Sequence, residues 1–155
     1  MDEMIPKITE LGATALTPLI TERSDLKKIS PQKIERWKKI ATSSTEQTGR
    51  TKILMICPPS TLSELLQRYP EHEKILFYEL EDSLTLEQAL RNSSSQKFCL
   101  IIGPEGGFSK REIEEAQKKG CKIVSLGKRI LRTETVAPAV TAIFQYVKGD
   151  LGRNG

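Results

Sequence analysis

The sequence predicts an α/β fold, a mostly parallel sheet flanked by helices, and three observations carry that expectation. Short apolar runs rich in β-formers alternate with segments of helical spacing. Two of those runs, Phe98–Ile102 and Cys121–Leu126, each lead directly into a loop that contains glycine. The segment between them carries a full set of helix start and stop signals.

In chain order, Met1 to Leu11 reads as a helix stopped by Gly12, and Ala15 to Ile20 as a strand followed by Thr21-Glu22-Arg23-Ser24. Pro31 opens a helix to about Gln47, with Ile34, Trp37, Ile40 and Ala41 at helical spacing. Trp37 is expected in the core rather than as a platform for stacked bases. Glu46-Gln47-Thr48-Gly49-Arg50 reads as an ordinary helix terminus that returns the chain toward the sheet. Ile53 to Cys57 is a strand and Leu62 to Tyr69 a short helix. Ile75 to Leu80 is a strand ending in Tyr78-Glu79, and Leu84 to Leu90 a weaker helix. The polar piece Asn92 to Gln96 is too short for a domain linker and no repeat is visible, so residues 1–155 are expected to form a single domain.

Phe98–Ile102 has the length of a strand buried on both faces. It stops at Gly103-Pro104-Glu105-Gly106-Gly107, where proline fixes one φ and glycine opens conformations closed to other residues, so main-chain N–H groups could approach a ligand. Ser109 is the N-cap of the next helix, Glu112 closes a capping box, and Phe108 can staple onto Ile113. Gly120 ends that helix after Lys118 and Lys119. After the strand Cys121–Leu126, the loop Gly127 to Glu134 holds Arg129 and Arg132. Thr135 then caps a final helix with Val136, Ala139, Val140, Ile143, Phe144 and Val147 on one face. Both loops are thereby sent to one edge of the sheet, where open α/β folds bind ligands. Taken alone, such a glycine turn is more often a chain reversal than a binding loop. It matches neither the phosphate-loop nor the dinucleotide pattern.

A formal net charge of +4 and a pI near 9.0 suit an RNA partner but do not require one. The chain has no apolar run of membrane-spanning length and no signal-peptide pattern, so a cytoplasmic protein without membrane attachment is expected. Cys57, Cys99 and Cys121 lack C-x-x-C spacing and read as buried reduced thiols, so no metal is expected. His72, the single histidine, is expected in a solvated loop, which argues against a His-based catalytic pair.

LIIGPEGGFSKREIEEA followed by LGKRILRTET, with TELG, TERS and EQTGR upstream, closely resembles the catalytic domain of the RsmE family. The resemblance runs from Asp2 to about Val147. It implies a SPOUT-class methyltransferase that uses S-adenosylmethionine to methylate N3 of a uridine in 16S rRNA of the small ribosomal subunit. It also implies a C-terminal trefoil knot and a homodimer, for which the apolar final helix could serve as interface or simply as core. In the family, a PUA-like RNA-binding barrel and a first strand precede this stretch. Their absence from the sequence keeps a second reading open, a cofactor-binding or RNA-associated module without transferase activity.

The cofactor set implied by the resemblance is Tyr78, Glu79, Ile102, Gly103, Pro104, Glu105, Gly106, Gly107, Leu126, Gly127, Ile130, Leu131, Arg132, Thr135 and Ala137. Within it Gly127 and Ala137 would let the backbone approach adenine, while Ile130 and Leu131 supply apolar walls. Arg23, Gln47 and Arg50 are the implied RNA or target-base contacts. For catalysis, Arg132 is the candidate for stabilising charge on the uracil oxygens. Glu134 is the candidate proton acceptor, with a salt bridge or a favourable place at a helix N-terminus as its structural alternative.

Overall fold

The computed structural model describes residues 1–24, 29–81 and 83–153. Its elements are α1 (Met4–Glu10), β1 (Ala15–Leu16), β2 (Leu19–Ile20), α2 (Pro31–Thr48), β3 (Met55–Ile56), β4 (Ser60–Thr61), α3 (Leu62–Gln67), β5 (Glu73–Phe77), α4 (Leu86–Arg91), β6 (Phe98–Ile102), α5 (Lys110–Lys118), β7 (Lys122–Val124) and α6 (Thr133–Lys148). They fall into two compact units. One holds the described residues among 1–18, 26–59 and 134–155, and the other those among 19–25 and 60–133.

In the first unit, Ser30 caps α2 by accepting from Lys33 N, and Pro31 takes the first helical position, where a missing N–H costs nothing. The helix ends at Gly49 in the left-handed region, with Gly49 N donating to Glu46 O and Arg50 N to Thr45 O. α1 packs against α2 and buries Met4, Ile5 and Ile8, while α2 buries Trp37 and Ala41. Trp37 is 3% exposed and donates from Nε1 to Asp2 Oδ1 at 2.9 Å, so it is a core residue with its one polar atom satisfied. β1 pairs in parallel with β3.

The strand expected over Ala15–Ile20 is two strands. Pro18 has no N–H for a ladder, and beyond it Leu19 and Ile20 pair instead with Ser60 and Thr61 of β4. The final helix also starts earlier than expected, at Thr133, which puts Thr135 inside its first turn rather than at its cap. Thr133, Glu134 and Thr135 are all residues that suit a helix start, so the composition left the boundary undetermined. Buried on α6 are Val136, Ala137, Val140 and Phe144, whereas Ile143 and Val147 are exposed.

The second unit is built on a three-stranded parallel sheet with β5 between β6 and β7. Its core joins Leu62, Leu65 and Leu66 of α3 to Leu76, Ile101 and Ile123 of the strands, and to Phe108, Ile113 and Ala116 at α5. Phe108 and Ile113 thus meet in one cluster, as a hydrophobic staple requires. At the amino-terminal edge of the sheet, Glu73 accepts from Lys122 Nζ and Ser93 Oγ, both at 2.6 Å. His72 is half-buried rather than solvated, its ring 5.1 Å from that of Tyr69. All three cysteines are free thiols, and Cys99 is partly exposed. Among the described residues no helix is long and apolar enough to cross a membrane, and no cluster of His, Cys, Asp and Glu could hold a metal ion.

Candidate active site

Strand register brings the candidate loops together. Phe77, the last residue of β5, lies opposite Ile102 of β6 on one side and Val124 of β7 on the other. Parallel strands that end in step release their chains at one level, so Tyr78, Gly103 and Ser125 leave the sheet side by side. At 4.7–4.9 Å between strands, the loops after β6 and β7 start roughly 10 Å apart. Tyr78 N donates to Val124 O at 3.0 Å, which keeps the end of β5 closed against β7. Tyr78 and Glu79 were expected inside a strand but lie just past its end, and Glu79 is exposed on this edge.

The loop after β6 is a turn closed by Gly107 N donating to Pro104 O at 2.8 Å. Gly107 has φ +68°, a conformation that disfavours any side chain. Gly106 is constrained for a different reason. A Cβ there would sit 3.1 Å from the main-chain oxygen of Arg23 and 3.3 Å from its Cβ. The Thr21–Ser24 segment therefore lies flush against this turn, and Arg23 Nη1 adds a contact to Gly106 O at 3.4 Å. Arg23 and Glu105 are exposed, while Ile102, Gly103 and Pro104 are half-buried.

The loop after β7 is irregular from Leu126 to Arg132. Gly127, at φ +98°, donates to Ser125 Oγ at 3.0 Å. Beyond it the main-chain groups of Lys128, Arg129, Ile130 and Leu131 make no hydrogen bond to any described residue. Ile130 is 83% exposed, Leu131 half-buried and Arg132 exposed. The two loops are tied by Thr133, whose hydroxyl donates to Gly103 O at 3.1 Å. Nothing in the local sequence marked that bond, which joins residues 30 apart.

The remaining candidates belong to the first unit. Gln47 is exposed on the last turn of α2. Arg50 is half-buried, and its Nη1 donates to Thr9 O at 2.6 Å and Ala13 O at 3.2 Å, which anchors the carboxyl end of α1. Glu134 is the acidic residue of the first turn of α6, Thr135 is exposed on that turn, and Ala137 is buried.

Two loops thus leave one edge of a parallel α/β unit, the edge at which open sheets of this class bind ligands. The chain belongs to the RNA methyltransferase domain family, whose model matches residues 1–145. It is similar to the ribosomal RNA small subunit methyltransferase E of Synechocystis sp., 42% identical over 142 residues, which is 90% of this chain and 46% of that protein. The protein of the same name from Aquifex aeolicus is 35% identical over 148 residues, 92% of this chain and 61% of its own. Among solved structures, the Neisseria gonorrhoeae ribosomal RNA small subunit methyltransferase E bound to S-adenosyl methionine superposes with a TM-score of 0.84. It is 33% identical, over 97% of this chain and 62% of that one. The chain therefore spans about half to three-fifths of the length of these relatives.

Proposed function

We propose that this domain transfers a methyl group from S-adenosylmethionine to N3 of a uridine in 16S rRNA of the small ribosomal subunit. One observation carries the reading: the loops that bear the two signature motifs leave parallel strands on either side of β5 at one level. The residues fit such a cofactor, because main-chain groups of Lys128–Leu131 lack partners among the described residues and Ile130 offers an apolar surface. S-adenosylmethionine supplies a methyl carbon already activated by its sulfonium.

What this chain must then supply is alignment and charge control. In this reading Tyr78, Glu79 and Ile102 to Gly107 face the cofactor from the ends of β5 and β6, and Leu126, Gly127, Ile130 and Leu131 from the loop after β7; Thr135 and Ala137 are further proposed cofactor contacts. Arg132 presents fixed guanidinium donors to the uracil oxygens and lowers the cost of removing the N3 proton. Glu134 takes that proton, or serves as the acid at the start of α6; its place in the first turn suits both roles. The uridine must be unpaired or turned out of its stack to reach the site. Arg23, Gln47 and Arg50 are the proposed RNA contacts. The family's trefoil knot, its homodimer and a cytoplasmic place beside ribosome assembly belong to the same proposal.

Calorimetry with S-adenosylmethionine tests the pocket. Methyl transfer to isolated small subunits lacking the modification, with mapping of the product nucleotide, tests the reaction. Binding together with a new N3-methyluridine is the expected result. No binding, or a methyl group placed elsewhere, would overturn the reading.

A further inference from the structure

We propose that Glu112 is a positioning residue that latches the Thr21–Ser24 segment onto the loop after β6 and so holds that loop in its donor-binding shape. The inference rests on the reading of Gly103–Gly107 as a methyl-donor loop.

Three helices of the second unit, α3, α4 and α5, begin with a capping box closed by Glu64, Gln88 and Glu112 respectively. Glu64 and Gln88 are exposed, so their caps are finished locally and in water. Glu112 is 6% exposed, and a buried carboxylate needs partners for both oxygens. Oε2 accepts from Ser109 N at 2.8 Å, which completes the helix cap. Oε1 accepts from Glu22 N at 3.0 Å, a bond across 90 residues that the cap does not need. Glu22 in turn pairs with Arg111 Nε at 3.0 Å. The next residue, Arg23, covers Gly106 with its main chain and reaches Gly106 O with its guanidinium. One carboxylate thus joins the helix start, the glycine turn and the distant segment that carries a proposed RNA contact.

Glu112→Gln keeps the shape but has one acceptor oxygen where two N–H groups point at it, so one of the two bonds must be lost. Ser109→Ala is the control, since it removes the hydroxyl that accepts from Glu112 N but spares both carboxylate bonds. Calorimetry with S-adenosylmethionine and amide hydrogen exchange at Glu22 are read for both variants and the parent chain, with Tm beside them. The expected result is donor affinity about tenfold weaker and Glu22 exchange faster in Glu112→Gln. Ser109→Ala should lower Tm and leave both readouts at the parent values. Parent-like affinity in Glu112→Gln, or equal weakening in Ser109→Ala, would overturn the latch and leave the functional reading standing. A parent chain that binds no donor would overturn both. Should Glu112→Gln fail to fold, the exposed Arg23→Ala carries the test, and unchanged donor affinity there would overturn the proposal.

Discussion

Thr133 Oγ1 donates to the main-chain oxygen of Gly103 at 3.1 Å, so the residue that closes the second loop holds the residue that opens the first. Thr133→Val keeps the shape and removes the donor. One hydrogen bond is worth about 1 kcal/mol, which predicts S-adenosylmethionine affinity about fivefold weaker with the fold retained. Calorimetry checks this, and unchanged affinity would show that the tie is not part of the donor site.

Gly106→Val should weaken donor binding by about tenfold, because its Cβ would come within 3.1 Å of the Arg23 main-chain oxygen, tighter than ordinary contact, and the valine methyls add to the crowding of the turn. Gly107→Ala acts on the same turn by a different route, since φ +68° costs an alanine about 1–2 kcal/mol. Measuring Tm and donor affinity together separates the two. A Gly106→Val protein with parent-like affinity would reduce this segment to a chain reversal.

Arg132→Ala should lower methyl transfer by about 10²–10³ with the fold retained in the far-ultraviolet spectrum, as expected for a lost charge-stabilising donor. Arg132→Lys should not restore the rate, because an ammonium lacks the planar fork of donors. Single-turnover kinetics on unmodified small subunits is the measurement, and an unaltered rate would remove Arg132 from the reaction.

The parts legible in the sequence were those whose signals are local. Phe98–Ile102 forms over the residues expected of it, and the Ser109–Glu112 box and the Phe108 staple depend on neighbours three to five residues apart. Pro18 was a visible reason to split Ala15–Ile20, yet only the pairing of Leu19 with Ser60 reveals that the halves join different partners. Strand order was not legible, since β6 and β7 follow one another in sequence while β5 separates them in the sheet. The bonds of Glu112 to Glu22 and of Thr133 to Gly103 were hidden for the same reason. Capping patterns name the near partner of a side chain and are silent about its second one.

Arg50→Ala should lower stability by about 1–2 kcal/mol, discounted for half exposure, because the carbonyls of Thr9 and Ala13 lose a charged donor. Urea unfolding measures that loss and a filter-binding titration measures RNA affinity on the same protein. A stability loss with unchanged RNA affinity assigns Arg50 to the anchoring of α1 alone. Weaker RNA binding by folded protein gives it both roles.

Burial pushes the Cys121 thiol up to about 12 from 9.0, and the negative charge of a Cys99 thiolate would push it in the same direction. Between those two values the unfolded chain releases the Cys121 proton and the folded chain keeps it. The unfolded state then binds fewer protons, so this group makes stability fall as pH rises above 9, by at most about 1.4 kcal/mol per pH unit, and contributes nothing to the slope below pH 8. Cys121→Ala should lower stability near neutral pH through the cavity it leaves, yet flatten the decline between pH 9 and about 10.5. Urea midpoints of both proteins across that range decide it, because lysine and tyrosine titrations are common to the two and cancel in the difference. Parallel curves would mean that Cys121 ionises as readily in the folded chain as in the unfolded one, and that the packing around β7 leaves it open to water.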